Sequence, residues 1–352
     1  MKHNDAFEMH RMPALYRLDL PNLFILEFFL LKLLPALAAV MEKIRNGEFE
    51  LGKTFLDTSS GTWAWSLARV CRLLNVPLRI VTDPAVDTRF LRVLEELGTV
   101  VDIVRSEPGE GPQKSRMRRM RELAADGQHI LLDQYSNPVV PLSYAPVSEL
   151  LIDKVGQFDF IVGAVGSGAS TAGIIRPYRS VFPDTRLVGV DTFGSVIFAL
   201  PEKARILRGL GNSIMPGNVD HSLYDVVDWV NAPLAFAATR RLYKETGIFR
   251  GPTTGAAWWV ARQIAIDNPD SRVVFLSADS GWRYLDDVYN LCWLHEQGVF
   301  MDTETIPDAP VIAAHPTEAI PPWARYQWDR RSYNDVMVAR AAIERIPVGG
   351  AA

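Results

Sequence analysis

Phe160 to Gly173 reads FIVGAVGSGASTAG. The stretch opens as an uncharged apolar run, breaks at Gly166-Ser167-Gly168-Ala169-Ser170, and continues into residues able to start a helix. A buried strand, a glycine-rich turn and a helix N-terminus in succession make an anion cradle. Glycines let backbone N–H groups turn inward, and the helix end adds partial positive charge. Ser167 and Ser170 add hydroxyl donors. A phosphate is the expected guest, weighed against a tight strand–helix turn that binds nothing.

Strands and helices alternate on both sides of this stretch. Apolar runs of strand length at 23–29, 54–57, 77–82, 100–104 and 130–133 are interleaved with helical patterns at 33–45, 63–74, 88–97 and 113–125. A second series places strands at 160–165, 186–191, 225–230 and 272–276 and helices at 146–155, 170–180, 232–246 and 254–267. The alternation predicts an α/β fold of two parallel-sheet units. Residues 1–140 form the first, whose opening strands can pack on the second; residues 141–300 form the second. Residues 301–352 are rich in proline and aromatic residues and read as a wrapping tail, less regular than the core. Ligands of such sheets bind beyond the carboxyl ends of the strands, so the loops after 57, 165 and 276 are expected to face one cleft.

Composition narrows the function. The chain has 352 residues, 48% of them hydrophobic, and a formal net charge of −4, which argues against nucleic acid or an anionic membrane as partner. Leu23 to Val40 is apolar enough to raise a membrane span, but Glu27, Lys32 and Pro35 interrupt it, and a buried strand followed by a buried helix accounts for it better. Cys71 and Cys292 are far apart, are expected to be buried free thiols, and fit a reducing cytoplasm. The basic run Lys114 to Arg121 reads as a solvated helix face. The six histidines show no metal-ligand spacing, and no Ser-His-Asp arrangement stands out.

Seven segments then follow one another: Met12-Pro13-Ala14-Leu15-Tyr16-Arg17-Leu18, Asn22 to Glu27, Ser59-Ser60-Gly61-Thr62, Asp133-Gln134-Tyr135-Ser136-Asn137-Pro138, Gly166 to Ser170, GIFRGPTTGAA at Gly247 to Ala257, and Asp279 to Leu285. In this order, over roughly residues 12–290, the chain resembles the fold-type II pyridoxal-phosphate enzymes, the cysteine synthase and cystathionine β-synthase family, with a tryptophan synthase β-like fold and the cofactor cleft between two domains. The resemblance implies pyridoxal 5′-phosphate as cofactor and a Schiff-base lysine that opens a helix upstream of the substrate loop. Lys32 stands there, 27 residues before Ser59; Lys43 and Lys53 are the alternatives. An apolar setting suits Lys32, because desolvation favours the neutral amine.

By position, the resemblance makes Gly166, Ser167, Gly168, Ala169 and Ser170 the phosphate loop and Ser280 the partner of the pyridine nitrogen. A serine there leaves the ring a weaker electron sink and favours chemistry at the β-carbon. Thr62 stands where the family has an asparagine beside the cofactor ring. Ser59, Ser60, Gly61 and Thr62 would bind the amino-acid carboxylate, with Gln134 helping, although the same residues also read as a helix N-cap. The implied activity is β-replacement on a serine- or cysteine-like amino acid through an aminoacrylate, with a small nucleophile, in a cytoplasmic homodimer. Elimination or racemisation on the same fold is one alternative, and an inactive partner-binding homologue another. The family's polar approach to the lysine is replaced by Phe28-Phe29-Leu30-Leu31, and Leu33-Leu34 follow it, which points to a specialised substrate.

Overall fold

The computed structural model describes residues 12–84, 86–107, 111–313 and 321–344. The chain begins with β1 (Ala14–Arg17), β2 (Leu23–Glu27) and α1 (Leu33–Arg45). It then builds a small sheet from β3 (Thr54–Thr58), α2 (Thr62–Leu74), β4 (Leu78–Thr82), α3 (Thr88–Glu96), β5 (Val100–Ile103), α4 (Pro112–Ala124) and β6 (His129–Leu131). These four strands lie parallel in the order β5-β4-β3-β6. The short helix α5 (Val139–Leu142) and α6 (Ala145–Val155) lead out of this layer.

The large sheet takes β7 (Phe160–Ala164), α7 (Ala169–Arg179), β8 (Arg186–Thr192), β9 (Val226–Val230), α8 (Ala232–Thr246), α9 (Pro252–Asp267) and β10 (Val273–Ser277). After α10 (Leu291–Glu296) come β11 (Val311–Ile312), β12 (Trp323–Gln327) and α11 (Tyr333–Glu344). The strand order is β1-β2-β10-β7-β8-β9-β12-β11. From β2 to β9 the pairing is parallel; β1 and β12 run antiparallel to their inner neighbours. Strands β7 to β10 are mostly buried, as parallel strands covered on both faces must be.

Local chemistry explains the element ends. Helix α8 starts where the Asn231 side chain accepts from Leu234 N, with Pro233 in the first turn, and stops at Gly247 in the left-handed region. Helix α1 ends in Asn46 followed by Gly47 at φ +72°. Strand β2 is stitched to β10 by Arg250, whose Nε donates to Ser277 Oγ (2.8 Å), Nη1 to Glu27 Oε1 (3.0 Å) and Nη2 to Phe28 O. The opening strands therefore belong to the large sheet, while α1 packs on α2 of the small layer.

Several expectations change on contact with the structure. The tail is more regular than its prolines suggest: β12 pairs along its whole length with β9, and Trp323 and Trp328 are fully buried. Arg325 Nε reaches both oxygens of buried Asp228, at 3.0 and 3.1 Å, which fixes the register. Cys71 is buried but Cys292 is exposed. Within the basic run, Arg118, Arg119 and Arg121 do lie towards solvent, but Arg116 is turned inward and is only 5% exposed. Among the described residues no helix is long and apolar enough to cross a membrane.

Candidate active site

Strands β7 and β10 are neighbours, but the chain leaves β7 towards β8 on one side and β10 continues to β2 on the other. Such a reversal opens a crevice at the carboxyl ends of the strands. The loops after β2, β3, β7 and β10 meet there around a cavity of about 1150 Å³.

Lys32 lines this cavity, and its Nζ donates to Ser167 Oγ at 3.1 Å. The greasy approach is held by backbone contacts in place of polar side chains. Leu31 N donates to Ala278 O (2.8 Å), and the Tyr144 hydroxyl donates to Leu31 O (2.8 Å). Lys32 then occupies the N-cap position of α1, with no side-chain cap and no acidic residue in the first turn. Burial lowers its pKa from 10.5 to about 8. Partial positive charge at a helix N-terminus disfavours an ammonium in the same direction. The two alternatives are committed elsewhere: Lys43 pairs with Glu48 and Lys53 with Glu50 at the surface.

The glycine-rich turn faces Lys32. Gly166, Ser167, Gly168 and Ser170 line the cavity, whereas the Ala169 side chain is buried in the core. Gly168 is the N-cap of α7, at φ +77°, and no side chain caps the helix. A Cβ there would stand 2.6 Å from Val219 Cγ2 and 2.8 Å from its Cα, so both backbone sign and space require glycine. The first amides of α7 are left for an anion.

Ser59, Ser60, Gly61 and Thr62 form the opposite lip, and Trp63 joins them. Beneath them Asp57 takes bonds from Thr58 N (2.7 Å), Trp63 Nε1 (2.9 Å) and Gln134 N (3.2 Å). Burial pushes its carboxyl up to about 7 against those bonds. Gln134 lines the cavity, but its Nε2 donates to Thr58 O at 2.7 Å, so it props the loop from behind. Sequence reasoning missed Asp57, although an acidic residue inside an apolar strand five residues before a tryptophan-bearing helix start was the signal.

Ser280 is not among the residues that line the cavity. Its backbone bridges Arg250, and the preceding residue, Asp279, faces inward instead. Asp279 is 4% exposed, accepts from the Tyr284 hydroxyl (2.9 Å) and lies 3.6 Å from Arg283 Nη1. Burial raises its pKa; Arg283 and Arg250 oppose that. Thr253, at the start of α9, also lines the cavity from this side; it is 5% exposed and its Oγ1 has no hydrogen-bond partner among the described residues. The segment GIFRGPTTGAA carried it, and a Gly-Pro helix start followed by two threonines was the available signal.

Residues 31–279 match the family described as pyridoxal-phosphate dependent enzyme. The chain belongs to this family. It is 32% identical over 268 residues to N-(2-amino-2-carboxyethyl)-L-glutamate synthase of Cupriavidus metallidurans, covering 74% of this chain and 79% of the relative. The synthase of the same name from Ralstonia nicotianae is 31% identical over 265 residues, with 74% and 78% covered. Among solved structures, O-ureido-L-serine synthase superposes with a TM-score of 0.75 at 22% identity, covering 81% of this chain and 94% of that one. O-acetyl serine sulfhydrylase isoform 3 of Entamoeba histolytica gives 0.74 at 20% identity, with 86% and 97% covered. The protein is a pyridoxal-phosphate dependent enzyme of the cysteine synthase type, its reaction class is β-replacement, and its fold is that of fold type II, as the sequence implied.

Proposed function

We propose that this enzyme joins the β-carbon of a serine-derived unit to the amine of an acidic amino acid such as L-glutamate. The product name of the curated relatives describes that C–N bond. The observation that carries the reading is the charge of the cavity: Arg89, Arg116, Arg205, Arg208 and Arg283 line it together with Lys32. Asp87, Asp279, Asp286 and Asp287 offset part of this. A site for sulfide alone has no use for so many guanidinium groups; a site for two amino acids and a phosphate does.

The residues present fit the cofactor. An uncapped helix start with a glycine of required conformation suits its phosphate, and an unpartnered buried hydroxyl on Thr253 suits a ring nitrogen. Ser167 and Ser170 would add hydroxyls on the phosphate side, and Thr62, which lines the same cavity, would contact the ring. When bound, the cofactor withdraws electrons from the α-carbon of an amino acid joined to it, so that an α-proton and a β-substituent can leave. Lys32 would hold it covalently and would take the α-proton at Nζ; an amine with a pKa of about 8 is suited to accept and return a proton near neutrality. Ser59, Ser60, Gly61 and Thr62 bind the substrate carboxylate. The enzyme acts as a homodimer in the cytoplasm, in keeping with two unpaired cysteines.

The test is product analysis. The purified holoenzyme is given a serine-type donor with L-glutamate, with sulfide, or with neither, and products are identified by mass spectrometry. A new dicarboxylic amine formed only with glutamate supports the reading. Cysteine as the sole product overturns it in favour of sulfide, and pyruvate with ammonia in every mixture overturns it in favour of elimination.

A further inference from the structure

No described residue beyond Val299 lines the cavity. The tail nevertheless reaches the phosphate turn through one intervening segment, Asn218 to Asp225. That segment lies along α7 and grips it at four places. Val219 packs on Gly168, where an added Cβ would stand 2.6 Å from Val219 Cγ2 and 3.1 Å from Asn218 O. Thr171 Oγ1 donates to Gly168 O at 3.0 Å, which leaves the Tyr224 hydroxyl to donate to Thr171 Oγ1 at 2.6 Å. Arg176 Nη2 donates to Asp220 Oδ2 (2.6 Å), and Arg179 Nη1 to Leu223 O (2.7 Å).

The tail holds the same segment from its other side. Trp328 N and Asp329 N both donate to Asp225 O, at 2.8 and 3.0 Å, and Arg330 N donates to Tyr224 O at 2.8 Å. Arg330 Nε donates to Asp225 Oδ1 at 2.9 Å, while Arg179 Nη2, from the end of α7, donates to Oδ2 of the same carboxylate. One side chain thus joins the tail to α7. Asp329 and Arg330 both sit at φ +53°. Two successive non-glycine residues in the left-handed region persist only where their surroundings impose it. The Trp328 ring is buried edge-on to Phe198, with centroids 5.0 Å apart, and lies 5.6 Å from His221. Phe198 in turn meets Tyr224 edge-on at 5.0 Å. Burial lowers the His221 pKa to about 4, against the pull of Asp220, so the imidazole stays neutral among these rings near neutrality.

We infer that Trp328 and the Asp329-Arg330 turn are positioning residues for the phosphate turn: they press Asn218–Asp225 against α7 and so set where its first amides meet the cofactor's phosphate group. This rests on the reading of Gly166 to Ser170 as the phosphate turn and gives the tail a part in it. Gly168 heads α7 with no side-chain cap. A glycine has no side chain to anchor it, so its placement depends on what packs behind it. Behind it is Val219, and behind that segment is the tail.

The experiment compares full-length wild type with Trp328→Leu, Trp328→Phe and Arg330→Ala. Arg325→Met is the control, since it disturbs the same strand through Asp228 and the Trp323 ring. Each protein, stripped of cofactor, is titrated with pyridoxal 5′-phosphate and with pyridoxal, which lacks the phosphate, and the absorbance change is read. Amide hydrogen exchange is followed over residues 166–176. In Trp328→Leu a charge-assisted bond to the phosphate is misplaced, so half-saturation by pyridoxal 5′-phosphate rises about 10-fold. Pyridoxal moves less than about twofold, and exchange over 166–176 quickens. Trp328→Phe recovers most of the loss, and Arg330→Ala shifts the phosphate ester about two- to fivefold. Arg325→Met leaves the ratio of the two ligands unchanged. Equal weakening of both ligands in Trp328→Leu marks a loss of stability alone and overturns the inference, as does no change in either. If Trp328→Leu does not fold, Arg330→Ala decides: exchange over 166–176 as slow as in wild type overturns the inference. If wild type binds pyridoxal as tightly as its phosphate ester, the phosphate-turn reading fails; the exchange comparison then decides the role of the tail alone.

Discussion

Replacing Lys32 with methionine should make the cofactor-free protein more stable. Methionine keeps the length and apolar stem of lysine and removes the charge. In the fold, burial holds the Lys32 amine at a pKa of about 8, against 10.5 when unhindered. At 1.36 kcal/mol per tenfold change in proton affinity, the charged amine costs the native state about 3 kcal/mol. The folded pKa is the lower of the two, so between about pH 8 and 10.5 the unfolded chain binds more protons and stability rises with pH. Below about pH 8 the cost is full and constant, and above about 10.5 it is gone. Urea denaturation of cofactor-stripped wild type and Lys32→Met, followed by tryptophan fluorescence at pH 7, 9 and 10.5, measures this. The variant should lead by about 3 kcal/mol at pH 7, with the gap closing as pH rises. With cofactor loaded, the order should reverse, since only the wild type is stabilised by covalent attachment. A variant equal to or weaker than wild type at pH 7 without cofactor refutes the reasoning, because Lys32 would then not be a desolvated amine.

Further outcomes follow from the same geometry. Thr253→Val should weaken cofactor retention roughly tenfold while leaving the melting temperature of the cofactor-free protein unchanged or raised, because the hydroxyl has no partner among the described residues; fluorescence titration and thermal melts separate the two. Gly168→Ala should lose about 1–3 kcal/mol from the positive φ alone and more from contact with Val219, and should lower phosphate affinity, measured by calorimetry with inorganic phosphate. Arg325→Met leaves Asp228 buried without its partner, at a cost of about 3–5 kcal/mol; burial already raises the Asp228 pKa, so the deficit should shrink on mild acidification in paired urea titrations.

Where pattern and packing agreed, the sequence was readable. Helix α1 spans the expected residues 33–45 because its apolar periodicity, its early Pro35 and its Asn46-Gly47 stop coincide. Lys32 was legible because the resemblance puts the Schiff-base lysine at the start of the helix before the substrate loop, and its apolar setting suits a neutral amine. Ser280 and Thr253 were not separable by sequence, since both follow glycine-rich or polar turns. Only the antiparallel bridge between Arg250 and Ser280, which turns Asp279 inward, distinguishes them. Arg116 was hidden by its neighbours, as one buried residue in a run of exposed basic ones leaves no compositional trace. Strand β12 was hidden by the prolines around it, although Trp-Ala-Arg-Tyr-Gln is an adequate strand once Asp228 supplies a partner for its arginine.

The late position of β12 in the chain has a consequence for synthesis. Every strand from β1 to β10 is complete by residue 277, yet the far edge of β9 stays open until residues 323–327 have been made. During that interval β9 exposes its edge, the Trp229 side of its apolar surface and an unneutralised Asp228. Open strand edges invite pairing with other chains. A nascent chain that stalls, or a message truncated after the catalytic segments, would therefore carry every residue of the active site and still be a poor product. The strand that covers the edge of β9 is therefore supplied by residues 323–327, far in sequence from the chemistry.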